Sequence, residues 1–218
     1  MKNVIPFLEE LSKNNSREWF HDNKGRYSVA RKEFESFVAA LIPRLAEIDP
    51  ELTGLDPKQC IFRIHRDVRF SPDKSPYKTN MGAAMGRGGR KSPYASYYIH
   101  IEPGNSFAGG GIWMPQPPAL KAMREEIYYN LDEFRVIVEG RDFARTFTEF
   151  MGERLKRPPR DFPADFPGIG WLQYKSYAVG HFFDDDVVSS GNFTDRVLDV
   201  FGVLLPFNRF INRALSGD

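Results

Sequence analysis

The chain has 218 residues, of which 41% are hydrophobic and 27% charged, values typical of a globular protein. Its net charge of +1 argues against a general nucleic-acid binder, and no apolar run approaches the roughly 18 residues that span a bilayer. A single cysteine, Cys60, excludes an internal disulfide, and the early acidic residues do not suit a signal peptide, so we expect a cytoplasmic protein without a membrane partner.

The N-terminal part predicts helices. Apolar residues favour a short helix over 3–13, and Asn15 or Ser16 suits the N-cap of the next segment. From 24 to 48 apolar residues recur at helical spacing, which predicts a long helix with one buried face. Pro43 lies inside this helix, and we expect a kink or a break there because proline lacks the backbone N–H.

The middle of the chain changes to the two-residue period of strands. Residues 60–65 are rich in strand formers, small residues predict a weak strand over 82–86, and alternation is clearest over 94–102. A turn then leads into a returning strand over 106–114, and residues 87–92 read as a hairpin loop. Short turns between successive strands predict an antiparallel meander of about four to five strands.

Helices resume after the strands, beginning at Pro117 because proline is well placed in a first turn. They are expected over 119–130, 132–139 and 142–151, followed by a loop over 157–170 and a last helix over 192–215. The order helices, strands, helices predicts a single α+β domain over residues 1–218, with helices packed on one face of the sheet.

Positive charge is concentrated in residues 58–91, here called the basic segment. It holds nine basic and two acidic residues, net +7, so the remainder of the chain is net −6. Cations held this close repel one another, and a fold that gathers them usually supplies an anion or carboxylates. A local basic region on an acidic body suits a focused anion site better than a broad phosphate-tracking surface.

Several motifs resemble a widespread microbial family, the domain of unknown function number 2461. They are RDVRFSPDKSPYKTN at 66–80, NSREWF at 15–20, RGGRKSP at 87–93, YIHIEPG at 98–104, GGGIWMP at 109–115 and the segment 206–215. The resemblance spans nearly the whole chain. It implies a mixed α/β fold, and it brings no established activity and no catalytic residues.

We expect the functional site where the basic segment leaves the sheet. Alternation places Arg63 and His65 on one face of their strand, and Tyr98, His100 and Glu102 on one face of another. If both faces are the same, guanidinium groups that bind carboxylate or phosphate meet an imidazole that transfers protons. The alternative is a polar sheet face with an internal Arg–Glu pair.

Two neighbouring motifs have competing interpretations. The segment 74–79 is either a ligand clamp, with Tyr77 as a hydroxyl donor, or a crossover loop with solvated lysines. The glycines at 109–111 either let a ligand approach the backbone or form a bulged strand covered by Trp113. The candidate ligand-binding residues are Arg63, His65, Arg66, Arg69, Lys74, Tyr77, Lys78, His100, Glu102 and Trp113.

Three functions are compatible with these patterns. The leading hypothesis is binding of a small anionic molecule that bears phosphate or carboxylate, with catalysis left open. The others are nucleic-acid binding by the basic segment, which the near-zero net charge disfavours, and a structural or interaction protein with internally paired charges. The histidines lack metal-ligand spacing and no phosphate-loop motif is present, so neither a metal nor a cofactor is predicted, and the oligomeric state is open.

Overall fold

A computed structural model describes residues 1–217. Within them, four antiparallel strands form one open sheet in the order β1-β2-β3-β4. The strands are β1 (Met81–Gly86), β2 (Ser96–Ile101), β3 (Ser106–Ile112) and β4 (Tyr177–Phe183). Helices precede, connect and follow them, so the α+β class and the antiparallel meander are confirmed.

The helices account for most of the remaining described chain. They are α1 (Val4–Lys13), α2 (Arg17–Asp22), α3 (Lys24–Ile48), a 3-10 turn (Pro50–Leu52), α4 (Pro57–Cys60), α5 (Pro117–Tyr129), α6 (Leu131–Val138), α7 (Arg141–Thr146), α8 (Ile169–Leu172), α9 (Asp185–Val188) and α10 (Phe193–Ser216). Of the kink or break expected at Pro43, the break is wrong, because α3 continues through Pro43 to Ile48. Packing of the buried face holds this helix despite the missing hydrogen bond. In residues 1–217 no helix has the length and apolar character needed to cross a membrane.

Strand β2 has two different faces. Tyr97, Ile99 and Ile101 are buried, and the ring of Tyr97 meets Phe201 of α10 edge-on at 5.2 Å between centroids. The alternate residues, among them His100, point to the opposite side of the sheet. This second side, which we call the open face, also carries Phe107 of β3.

The three glycines of β3 allow very close packing. A Cβ on Gly110 would lie 2.1 Å from the Ser96 carbonyl oxygen and 2.6 Å from Leu204 of α10. Gly111 has φ +98°, and its Cβ would lie 2.1 Å from the Tyr177 carbonyl oxygen. Any side chain here would push the strands and α10 apart, so the packing of the sheet by itself requires these glycines.

Two strand predictions need correction. The strand expected over 60–65 is wrong: its first residue, Cys60, belongs to α4, which begins at Pro57 because the Asp56 side chain caps its first turn and proline suits the first position. Beyond it the chain makes only isolated bridges, Ile61 to Ala83 and His65 to Tyr77. Strand β4 was not predicted, since a central Gly180 and apolar residues on both faces hide its two-residue period.

Loss of the Tyr97 hydroxyl should destabilise the protein. This hydroxyl donates a hydrogen bond at 2.9 Å to a carboxylate oxygen of Asp49, a residue that is only 5% exposed. Tyr97→Phe leaves a buried acceptor without its donor, and we expect the free energy of unfolding to fall by about 1–3 kcal/mol in chemical denaturation. The control is Tyr97→Phe combined with Asp49→Leu, which should recover part of that loss. A single variant as stable as the wild type would show that this hydrogen bond contributes nothing.

We propose that the described chain unfolds as one cooperative domain. One cluster of buried apolar residues joins α1, α3, the sheet and α10, through residues such as Leu8, Phe34, Ile99 and Phe207. Denaturation followed by circular dichroism and by tryptophan fluorescence should therefore give coincident transitions. Two separate transitions, or two stable halves after limited proteolysis, would contradict a single domain.

Candidate functional site

The open face of the sheet carries a cavity of about 530 Å³. Its polar lining includes Tyr98, His100 and Glu102, which alternation along β2 places on the same side, together with Arg90, Ser92 and Asn105. Its apolar lining includes Phe62, Phe107 and Trp113. The cavity therefore combines a short line of polar groups with aromatic walls.

The polar groups form one hydrogen-bonded chain. The Tyr98 hydroxyl lies 3.2 Å from Nδ1 of His100, and Nε2 of His100 lies 3.2 Å from a carboxylate oxygen of Glu102. Thr79 donates to Glu102 at 2.7 Å, and Asn105 donates to it at 3.1 Å. Because an ionised carboxylate only accepts hydrogen bonds, a neutral His100 carries its proton on Nε2 and accepts the Tyr98 proton at Nδ1.

The surroundings set the protonation states of Tyr98, His100 and Glu102. Burial, and then the charge of Glu102, raise the pKa of Tyr98 to about 12. Burial lowers the pKa of His100, although Glu102 opposes the shift. Burial raises the pKa of Glu102, but hydrogen bonds from Thr79, Asn105 and His100 outweigh it and lower the pKa overall. At neutral pH these groups are a phenol, a neutral imidazole and a carboxylate.

Neighbouring segments hold the hydrogen-bonded side chains of Tyr98, His100 and Glu102 in position. Gly82 of β1 leaves room for the Tyr98 hydroxyl, since a Cβ there would lie 2.5 Å from its oxygen. Phe107 stacks on the His100 ring at 4.9 Å between centroids, with 16° between the planes. Phe62 meets the Tyr98 ring edge-on at 6.2 Å. The rings of Tyr98 and His100 cannot turn without displacing these neighbours.

Part of the basic segment is paired internally. Arg66 forms a salt bridge with Asp73, and Arg69 forms one with Asp67 at 2.6 Å. The Arg69 guanidinium lowers the pKa of Asp67 to about 2. Lys74 donates to a backbone carbonyl oxygen in the same loop, that of Val68, at 3.0 Å. The charges of Arg66 and Arg69 are therefore largely satisfied within the loop.

Tyr77 and His65 do not line the open-face cavity and lie away from it. The buried ring of Tyr77 stacks on Phe20 at 3.9 Å, and the His65 ring lies 5.2 Å from it. Asn15 holds the Tyr77 backbone by hydrogen bonds to both its N–H and its carbonyl group. Tyr77 also lines a second cavity of about 440 Å³, together with Arg66 and Lys78.

Lys78 differs from the other cations of the basic segment by its burial. Among the cations there that form no salt bridge in the described residues, Lys78 is partly buried and the rest, Arg63 and Arg90 among them, are exposed. Burial, and then the charge of Arg63, lower the pKa of Lys78. The Lys78 ammonium lies 5.3 Å from the centre of the Phe62 ring, which lines the cavity on the open face. A partly buried positive charge without a carboxylate therefore adjoins this cavity.

The structure brings together only some of the candidate residues. His100, Glu102 and Trp113 line the cavity on the open face, and Lys78 adjoins it while it also lines the second cavity with Arg66 and Tyr77. Arg69 and Lys74 lie in the loop, His65 lies beside Tyr77, and Arg63 is close enough to Lys78 to lower its pKa. Sequence reasoning left Phe62 and Phe107 out of the site. Phe107 could have been found from the hairpin register, which pairs it with His100 on the neighbouring strand. Within residues 1–217, no group of three or more His, Cys, Asp or Glu side chains is placed to hold a metal ion.

Comparison with known proteins identifies a family and nothing more specific. A family model described as conserved hypothetical protein (DUF2461) matches residues 3–210. This match confirms the resemblance seen in the motifs and includes the whole cavity. No curated protein and no solved structure matches the chain.

Acid should destabilise the protein through His100. Because burial lowers the pKa of folded His100, the unfolded chain takes up this proton first as the pH falls. The free energy of unfolding should therefore decrease below about pH 6.5 and level off below the pKa of folded His100. The lowered pKa of Glu102 adds a separate loss, which begins below about pH 4.3.

Denaturation curves over a pH series test this assignment, with His100→Gln as the comparison. The variant should lack the decrease that begins near pH 6.5 and should keep the loss at lower pH. A variant with the wild-type pH profile would show that another group titrates in the upper window.

Proposed function

Because the chain belongs to DUF2461, a family described as conserved hypothetical proteins, we propose its function from the site itself: it binds a small ligand with an apolar ring and an anionic group. The ligand occupies the cavity on the open face, with its anionic group towards Lys78. The observation that carries this proposal is the partly buried, unpaired charge of Lys78 beside an aromatic-walled cavity.

The size and walls of the cavity suit a small organic molecule. A volume of about 530 Å³ lies within the range of ligand pockets, which are mostly apolar with a few polar groups. Phe62, Phe107 and Trp113 supply aromatic faces and edges for a ring. Trp113 is 57% exposed, so a ligand that covers it removes apolar surface from water.

The charges support an anion at one end. Lys78 is partly desolvated and lies close to another cation, Arg63, and both effects disfavour its charge. An anionic group beside Lys78 would offset both effects and raise its pKa again. Arg66 and Arg69 are already neutralised by Asp73 and Asp67, which makes the outer loop the weaker place for the same anion.

Three probes separate the two halves of this ligand: phenyl phosphate has the ring and the anion, inorganic phosphate has the anion, and phenol has the ring. Calorimetric titration should find the tightest binding for phenyl phosphate. Lys78→Met should weaken that binding by about tenfold, the cost of roughly one charge-assisted hydrogen bond. Binding of phenol should change little.

Arg69→Met is the matched control, because it removes an equal charge that is paired with Asp67. It should leave all three affinities unchanged. The proposal fails if phenyl phosphate does not bind, or if Arg69→Met weakens it as much as Lys78→Met. The second outcome would indicate that the anionic group binds at the loop that carries Arg69.

One observation favours a second candidate, binding of single-stranded nucleic acid. Trp113 and Phe182 are 57% and 56% exposed, and alternation assigns Phe182 to the open face beside Phe107. Exposed rings beside cations are the usual platform for stacked bases. A short oligothymidylate that binds more tightly than phenyl phosphate, and that Trp113→Ala weakens, would favour this function over the first.

A further inference from the structure

We propose that the Tyr98–His100–Glu102 chain takes a proton from the bound ligand, with Tyr98 as the group that meets the ligand. The ligand is then a weak acid, such as a phenol or an enol, that becomes an anion in the cavity. This deepens the proposed function and rests on it, because it requires a ligand on the open face.

The hydrogen bonds leave Tyr98 as the contact point. Both ring nitrogens of His100 are engaged, one by Tyr98 and one by Glu102, and Phe107 covers a face of the ring. His100 therefore has no free nitrogen for a ligand. The Tyr98 hydroxyl donates a hydrogen bond to His100, and its oxygen keeps lone pairs that can accept another hydrogen bond. A ligand hydroxyl in the cavity can donate to that oxygen.

The proton transfer is balanced without any further reactant. The ligand O–H proton moves to the Tyr98 oxygen while the original Tyr98 proton moves to Nδ1 of His100. The ligand becomes an anion, Tyr98 is again a phenol, and His100 becomes an imidazolium beside the Glu102 carboxylate. Nothing is oxidised or reduced, and the reverse transfer returns the proton to the ligand.

The charged groups around His100 suit this transfer. Glu102 favours the imidazolium, and its two donors, Thr79 and Asn105, fix it in place before the proton arrives. Lys78 disfavours the imidazolium, but it also attracts the ligand anion that forms at the same time. The high pKa of Tyr98 keeps it a phenol, so it passes a proton on instead of storing a negative charge.

Nitrophenols make the transfer visible, because their anions absorb visible light. The wild-type protein is titrated with a series of nitrophenols of graded acidity, and the ionised fraction of the bound probe is read from its absorbance as the pH changes. We expect the bound probe to ionise at a lower pH than the free probe. Tyr98→Phe should reduce the ionisation constant of the bound probe about tenfold, which is one pKa unit. Glu102→Gln should reduce it in the same direction.

Tyr94→Phe is the control for loss of a hydroxyl. Tyr94 lines the same cavity, but its ring centre lies 5.1 Å from the Arg87 guanidinium carbon. It is not part of the hydrogen-bonded Tyr98–His100–Glu102 chain. This variant should leave the ionisation of the bound probe unchanged. Well above the second pKa of a phosphate monoester, about 6, phenyl phosphate is a dianion with no acidic proton, and its affinity should be similar in Tyr98→Phe and the wild type.

A second measurement uses the wild-type protein alone. Nitrogen NMR of the His100 ring should show one N–H in the free protein and two when the probe is bound as its anion. The relay is overturned if His100 stays neutral beside a bound anion, or if Tyr98→Phe binds and ionises the probe like the wild type. In both cases binding of phenyl phosphate still supports the proposed function. If neither phenyl phosphate nor any nitrophenol binds, both proposals fall.

Discussion

The two-residue alternation of β2 links the core of the protein to its cavity. Tyr97, Ile99 and Ile101 pack towards α10, and this packing fixes the strand in register between β1 and β3. His100, which lies between Ile99 and Ile101, therefore has no choice of side. A shift of one residue would bury the polar groups in the core and expose the apolar ones, so the stability of the core also holds the geometry of the site.

Close backbone approach makes this arrangement possible. Gly110 and Gly111 let α10 and the neighbouring strands lie directly against β3 on the core side. On the other side, Gly82 leaves the space that the Tyr98 hydroxyl occupies beside His100. Glycine thus serves two purposes in one sheet: it tightens the packing of the core, and it makes room for a polar ring on the open face.

The basic segment relieves its charge repulsion in two ways. Arg66 and Arg69 have carboxylate partners within their own loop, and these pairs are exposed to solvent, where each contributes little to stability. Lys78 is partly buried beside Phe62 and Arg63, without a carboxylate partner among the described residues. Burial and the neighbouring guanidinium both disfavour the charge of Lys78, whose ammonium faces the ring of Phe62 in the cavity wall.

The sequence by itself determined the elements that depend on local patterns. These are the long helices α3 and α10, the meander of β1 to β3, and the polar face shared by His100 and Glu102, because hydrophobic periodicity is a property of neighbouring residues. Only the tertiary structure decided which distant groups meet. The hydrogen bond from Thr79 to Glu102, the approach of Phe62 to Tyr98 and the place of β4 beside β3 depend on how separate segments fold together. A charge count over residues 58–91 cannot tell a neutralised cation from a free one, since that difference lies in distances across the fold.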